Sequence, residues 1–295
     1  MQLPSLTRLR CFESAARHQS FTAAGEELGL TQSAVSKKVK ELEADLGFDL
    51  FQRAGRGVVL TPAGQGLAAD LELDLAGLRA TLQKAAAAGA GRSALRIAVL
   101  PAFANLWLIP RLPDFFQRHP EVELSFSTRL EPFDFARENF DLAVHYGLDN
   151  WPGTHMAPLF GEEMVPVCAP GFYAVHQLEL AANLAQAPLL HLDSRAGSWA
   201  EWFERAGLAG LPRQDGRYFD QHSMVIAAAL AGLGAAIVPY DMVAREVAAG
   251  DLLRIPGPEL VSRKRYYLVR PHGSVPEAVQ KLEVWMRKQL KSRPD

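Results

Sequence analysis

Between Thr31 and Lys40 the chain sets Gln32, Ser33, Ser36, Lys37, Lys38 and Lys40, and the stretch carries three lysines and no acid. Glutamine can pair with adenine edges, and serine and lysine can reach bases or phosphates. The formal net charge of the whole chain is −2, so a surface for a polyanion has to be a local one. Further on, Arg53 and Arg56 flank Ala54-Gly55 just ahead of Val58-Val59-Leu60. A basic turn next to a β run has the composition of a wing whose arginines reach the DNA backbone or minor groove. The plainer reading is a helix with a solvated polar face. Three coinciding signals favour DNA over it: helix, glycine turn and helix at the right spacing, an acid-free basic helix start, and the basic turn before a β run.

A second set of polar and aromatic residues gathers where strands end. Leu100 is followed by Pro101, Ala102, Phe103, Ala104 and Asn105. Another run closes on His145, Tyr146 and Gly147, with Trp151 beyond. A third closes on Leu190-His191-Leu192-Asp193, with Trp199 and Trp202 beyond. A fourth, Phe219-Asp220-Gln221-His222-Ser223, leads into a helical stretch Met224–Ala231. Parallel α/β sheets bind ligands outside the carboxyl ends of their strands, and free N–H groups at a helix start favour a carboxylate or other anion. Each residue also has an ordinary structural use. Trp199 and Trp202 suit a core or cleft rim, His191 and His222 suit satisfied structural histidines, Phe103 suits a hydrophobic anchor, and Asp220 suits a helix cap.

Enzymatic chemistry finds no such support. The chain has no phosphate loop, no zinc-binding His/Glu helix motif and no paired cysteine spacing. Gly232-Leu233-Gly234 ends an Ala-rich helix before a strand, whereas a dinucleotide motif follows one. His145, His191 and Asp193 lack a nucleophile on a recognisable elbow. Only Cys11 and Cys168 occur, far apart and in apolar surroundings, which argues against a disulfide framework and fits a reducing cytoplasm. Redox sensing through Cys168 is the alternative regulatory reading, and an α/β enzyme fused to a DNA-binding module is the remaining one. No cofactor and no metal is expected.

The elements that must hold these residues follow from local pattern. Ser20 caps a helix running to Leu28, Gly29-Leu30 turns the chain, and Thr31 caps the next helix. On that helix Val35, Val39, Leu42 and Leu46 share one buried face, opposite the polar set. Thr61 caps and Pro62 begins a long helix in which Leu67, Leu71, Leu75, Leu78 and Leu82 repeat near the coiled-coil interval. Such a helix needs a partner, either its own domain or a second copy. Self-association matches two-fold symmetric DNA. Beyond it lie strand patterns at Leu95–Leu100, Val122–Ser127, Asp141–Tyr146, Val165–Ala169, Ala235–Pro239 and Tyr266–Arg270. The helical stretch with Leu108, Leu112, Phe115 and Phe116 completes a first βαβ unit. A last helix, Pro276–Leu290, carries Val279, Leu282, Trp285 and Met286 as one stripe. With 295 residues, 48% of them hydrophobic and 22% charged, the chain is long enough for two or three soluble units. Met1 to Arg10 is polar, with no signal core, and no stretch approaches the ~20 apolar residues of a membrane span. A soluble, cytoplasmic protein is expected.

The motifs Phe12-Glu13-Ser14-Ala15-Ala16, Ser20-Phe21-Thr22-Ala23-Ala24, Thr31-Gln32-Ser33-Ala34-Val35-Ser36, Leu42-Glu43, Leu46-Gly47, Leu50-Phe51 and Leu60-Thr61-Pro62-Ala63-Gly64 together resemble the N-terminal signature of LysR-type transcriptional regulators. Further stretches resemble the subgroup that regulates glycine cleavage, D-serine use and β-lactamase induction. They are Trp107–Leu112, Asp141–Val144 with Tyr146-Gly147, Pro166-Val167-Cys168 and Ala227–Gly234. The resemblance implies an α-helical winged helix-turn-helix at 1–61 and a linker or dimerisation helix at 62–91. An α/β effector domain like periplasmic binding proteins follows at 92–295. Its subdomain I spans about 92–163 and 267–295, and its subdomain II about 164–266. Thr31, Gln32, Ser33, Ser36, Lys37, Lys38, Lys40, Arg53 and Arg56 then face DNA. The effector sits between subdomains, with Pro101, Ala102, Phe103, Ala104, Asn105, His145, Tyr146, Gly147, His191, Trp199, Asp220, His222 and Ser223 as its candidate contacts. Family members often carry Ser or Thr near Ala102–Ala104. Here backbone N–H groups or Asn105 are left to meet a ligand carboxylate. The implied partners are double-stranded DNA, a small-molecule effector, further copies of the chain as dimer or tetramer, and RNA polymerase, with no membrane.

Overall fold

A computed structural model describes residues 3–54, 57–209 and 216–291. The chain divides into two compact units. The first holds the chain up to Ala85 together with Ala136–Asn139, and the second holds the rest.

The first unit begins with three helices, α1 (Leu6–His18), α2 (Phe21–Leu28) and α3 (Gln32–Leu46). Local chemistry sets their ends. The Ser20 hydroxyl accepts from Ala23 N at 3.2 Å, and the Thr31 hydroxyl from Ala34 N at 3.2 Å. Gly29 closes α2 at φ 66°, a left-handed conformation that costs glycine little. The α2–α3 turn is tight enough that a Cβ on Gly25 would lie 2.7 Å from the Leu30 carbonyl oxygen. Val35, Val39 and Leu42 of α3 are essentially fully buried and meet Cys11, Phe12 and Ala15 of α1 and Ala24 of α2. Each contributes roughly 1.5–3 kcal/mol on burial. A hairpin follows, β1 (Phe51–Ala54) paired antiparallel with β2 (Gly57–Leu60), in the register Phe51↔Leu60 and Arg53↔Val58. Glu43 of α3 fastens it, because Oε1 accepts from Leu50 N at 2.8 Å and from Phe51 N at 3.1 Å.

The long helix α4 (Pro62–Gly89) starts under the Thr61 hydroxyl, which accepts from Gly64 N at 3.0 Å. Its leucine stripe divides into two parts. Leu67, Leu71 and Leu75 pack onto the three-helix core, whereas Leu78 is 42% and Leu82 61% exposed.

Among the described residues the second unit is built on one curled nine-stranded sheet. Its strands are β3 (Ser93–Val99), β4 (Val122–Thr128), β5 (Leu142–Gly147), β6 (Thr154–Cys168), β7 (Leu189–Leu192), β8 (Arg217–Phe219), β9 (Ala235–Pro239), β10 (Leu253–Arg254) and β11 (Leu260–Pro271). The interleaved helices are α5 (Leu112–Arg118), α7 (Pro170–Val175), α8 (Ser198–Arg205), α9 (His222–Leu230), α10 (Tyr240–Ala249) and α11 (Glu277–Lys291), while the short α6 (Phe135–Glu138), between β4 and β5 in the chain, falls almost wholly in the residues counted with the first unit. Two parallel groups, β4-β3-β5 and β9-β7-β8, are joined through the antiparallel strands β6 and β11.

Two sequence expectations were too short. The run expected at Val165–Ala169 is the tail of a 15-residue strand, and the run at Tyr266–Arg270 lies within a 12-residue one. The stretch after β3 is not one regular helix. It passes through a π-turn at Phe103–Leu108 and a 3-10 turn at Ile109–Arg111 before α5. Pro110 lacks the N–H that a continuous helix needs. The stripe of α11 is buried as expected, with Val279, Leu282, Trp285 and Met286 at 3% exposure or less.

Candidate nucleic-acid interface and effector cleft

On the first unit the burial of Val35 and Val39 leaves Gln32, Ser33, Lys37 and Lys40 exposed and Ser36 half-exposed. A groove of about 630 Å³ lies between α3 and the hairpin, with Gln32, Ser36 and Lys40 on one wall and Gln52, Arg53 and Val58 on the other. A second, of about 520 Å³, runs along α3 itself past Gln32, Ser33, Ser36, Lys37 and Lys40. Glutamine amide, serine hydroxyls, lysine ammonium groups and one guanidinium therefore share one solvated surface. Two expected members stand apart. The Lys38 ammonium bonds Glu41 Oε2 at 3.0 Å, one turn along the helix flank, and does not line either groove. The Thr31 hydroxyl is engaged as the helix cap and meets Ser33 Oγ at 3.1 Å. Arg56 lies outside the described residues.

In the second unit the carboxyl ends of β3, β5, β7 and β8 converge on one cleft of about 360 Å³. Leu100 to Phe103 reach it after β3, Tyr146 from the end of β5, Ser194 and Arg195 after β7, and Asp220 to His222 after β8. Lys264 and Tyr266 enter from β11. Phe103 and Tyr266, with ring centroids 5.7 Å apart, lie on its apolar wall, backed in the core by Trp107, 5.0 Å from Phe103, and Phe160, 4.7 Å from Tyr266.

The polar wall centres on Arg195. Its Nη1 bonds Glu162 Oε2 at 2.6 Å and its Nη2 donates to the Tyr146 hydroxyl oxygen at 2.9 Å. The Tyr146 O–H in turn faces Glu162 Oε2 and Ser262 Oγ, the latter at 3.0 Å. Glu162 is 1% exposed, a buried carboxylate held by a partner charge. Burial weighs against the Arg195 charge, but the hydrogen bond and attraction of Glu162 outweigh it and keep the guanidinium above the ordinary arginine value. Burial, with the Arg195 charge adding to it, brings the His222 imidazole down to about 4. It is therefore neutral at pH 7. His222 begins α9, whose N-cap residue Gln221 makes no side-chain cap bond among the described residues.

Of the residues read from sequence, Pro101, Ala102, Phe103, Tyr146, Asp220 and His222 come together around this cleft. The others do not line it. Neighbours on a strand point to opposite faces, so His145 lies behind Tyr146, against Trp151 at 5.3 Å, and a Cβ on Gly147 would lie 2.3 Å from its ring. Ala104 is buried in the core and Asn105 points to solvent. Trp199 is 2% exposed, and its Nε1 donates to the Leu190 carbonyl at 3.0 Å. Its size and its N–H are both satisfied in the core. His191 stacks on Tyr218 at 4.7 Å, and Ser223 sits one residue into α9. Arg195, Glu162, Ser262, Lys264 and Tyr266 were not foreseen.

Residues 6–65 match the model for the bacterial regulatory helix-turn-helix protein of the lysR family, and residues 88–291 match the LysR substrate binding domain. The chain belongs to the LysR family. It is a LysR-type DNA-binding transcriptional regulator with an effector-binding domain. LysR relatives include the glycine cleavage system transcriptional activator of Escherichia coli K12, 37% identical over 91% of this chain and 88% of that protein. The activator AmpR of Pseudomonas aeruginosa is 40% identical over 90% and 88%. The regulator DsdC of Escherichia coli K12 is 31% identical over 97% and 94%. Among solved LysR structures, the effector domain of Pseudomonas aeruginosa AmpR superposes with a TM-score of 0.56 at 32% identity, covering 68% of this chain and 96% of that one. Full-length CbnR in complex with its target DNA superposes at 0.68 with 19% identity, covering 97% and 99%, a likeness of fold.

Proposed function

We propose that this LysR regulator is a cytoplasmic, homo-oligomeric sensor without enzymatic activity. In this reading its DNA binding or activation responds to a small anionic metabolite such as an amino acid. The observation that carries it is the cleft at the strand ends, where Arg195 and Lys264 and the start of α9 face a ring-lined apolar wall. A cleft with a few convergent polar groups against apolar surface suits a small polar ligand. The relatives named for the glycine cleavage system support a small metabolite. Closure around such a ligand changes the DNA-bound state only through unequal affinity for two conformations.

Gln32, Ser33, Ser36, Lys37, Lys40 and Arg53 are the proposed DNA contacts. The exposed Leu78 and Leu82 of α4 are the proposed seam between copies. The segments 1–61, 62–91 and 92–295 are the proposed functional domains. Sensing through Cys168 is disfavoured, since the residue is fully buried and burial alone pushes its thiol up to about 12, far from a reactive thiolate.

The test is titration of the purified protein with small carboxylates and amino acids, following melting temperature and DNA footprint. A ligand that raises the melting temperature and alters the footprint without being turned over is the expected result. Absence of any shift across such anions would remove the sensor reading, and turnover of a bound ligand would replace it with an enzymatic one.

A further inference from the structure

The Arg195–Glu162 pair is asymmetric in a way that constrains what enters the cleft. The Arg195 side chain lines the cleft and is 23% exposed, whereas that of Glu162 lies behind it at 0%. Glu162 Oε2 takes both the guanidinium and the Tyr146 hydroxyl, while Oε1 is buried with no hydrogen-bond partner among the described residues. A desolvated carboxylate oxygen without a donor is unfavourable, and a carboxylate has about four acceptor sites to fill.

A ligand carboxylate that draws the guanidinium toward itself weakens the hold on Glu162. A plain monoanion would then leave two negative charges beside one guanidinium, with one of them buried, which both desolvation and like-charge repulsion oppose. A zwitterion avoids this. Its ammonium carries three donors and can take the place that the guanidinium yields, so charges alternate along guanidinium, ligand carboxylate, ligand ammonium and Glu162. The other charged cleft residues, Lys264 and Asp220, are one cation and one anion and leave that balance unchanged. The apolar wall of Leu100, Phe103, Leu130 and Tyr266 remains for a side chain.

We propose that the cleft takes an α-amino-acid headgroup between Arg195 and Glu162, and that Glu162 sets the preference for amino acids over the matching 2-hydroxy acids. The proposal rests on the sensor reading above and narrows it.

The experiment is isothermal titration calorimetry on the full-length protein with glycine and both enantiomers of alanine and serine, each against its 2-hydroxy counterpart, glycolate, lactate and glycerate. At least one amino acid is expected to bind at least about tenfold tighter than its counterpart, and Glu162→Gln is expected to shrink that ratio to about threefold or less. If every amino acid that binds is matched in affinity by its hydroxy acid, the proposal is overturned while the sensor reading stays in place, and an undiminished ratio in Glu162→Gln overturns it likewise. Binding by none of the acids overturns the proposal, and the sensor reading then falls only if other small anions also fail. Should Glu162→Gln not fold, the wild-type comparison decides alone.

Discussion

Removing the Glu43 carboxylate tests how α3 and the hairpin are held as one surface. Glu43 is half-buried on α3, and one oxygen accepts from both Leu50 N and Phe51 N, at 2.8 and 3.1 Å. Leu50 is fully buried, and the Phe51 ring packs on Phe12 at 5.7 Å and Phe21 at 5.2 Å, so neither amide can turn to solvent without moving the core. Hydrogen bonds to a charged group contribute about 1.5–3 kcal/mol each. Partial access of water to Glu43 argues for the low end, so Glu43→Ala should cost about 2–4 kcal/mol in total. In a unit of this size each kcal/mol shifts the midpoint by about 4–8 °C, so the first thermal transition should fall by at least about 8 °C. Glu43→Gln keeps an acceptor oxygen and should lose about half as much. Scanning fluorimetry reads the shift, and fluorescence anisotropy on DNA reads the accompanying loss of affinity as the hairpin loosens. A midpoint within about 1 °C of the parent would refute the reasoning, because it would mean that those amides have other partners.

Gly25→Ala should destabilise the first unit by about 1–3 kcal/mol, since its Cβ would meet the Leu30 carbonyl oxygen at 2.7 Å and backbone cannot yield. Gly66→Ala, a helical position with nothing within 4 Å, should instead stabilise by about 0.5–1 kcal/mol, and equal effects at the two sites in guanidinium melts would contradict the packing described. His222 gives a pH dependence. Its folded value of about 4 lies below the ordinary 6.5, so the unfolded chain binds more protons between the two. Stability should therefore rise with pH across that window, by up to about 3 kcal/mol, and the rise should vanish in His222→Asn. An unchanged pH profile in that variant would place the titration elsewhere.

The first unit was legible because its signals are local. Caps at Ser20 and Thr31, a left-handed glycine at Gly29 and the spacing of Val35, Val39 and Leu42 are all fixed within a few residues. The cleft was legible only where it follows the end of an apolar strand. Glu162 and Lys264 lie in the parts of β6 and β11 that sequence reading missed, and for one reason. These strands carry charged residues in mid-strand, Glu162 buried and Arg263, Lys264 and Arg265 exposed, so Glu162-Glu163 and Arg263-Lys264-Arg265 break the apolar runs by which strands are recognised. A charged residue within an otherwise strand-like segment was the available signal. Arg195 had a plainer one, lying three residues past Leu192, where the same carboxyl-end rule that found Asp220 applies. Strand alternation could have separated Tyr146 from His145. Nothing in the sequence told a core tryptophan from a cleft one, because the bond of Trp199 to the Leu190 carbonyl nine residues upstream depends on how α8 folds back against β7.

The central claim is that the exposed face of α3 meets DNA, and the salt dependence of affinity tests it most directly. Operator DNA would be selected with the full-length protein, and binding compared for the parent, Lys37→Ala and Gln32→Ala across a range of salt. Losing one phosphate contact should reduce the slope of log affinity against log salt by about 0.9 for Lys37→Ala. Gln32→Ala should keep the slope and narrow the gap between operator and random DNA. Unchanged slope and affinity in Lys37→Ala, with operator preference intact in Gln32→Ala, would contradict the account.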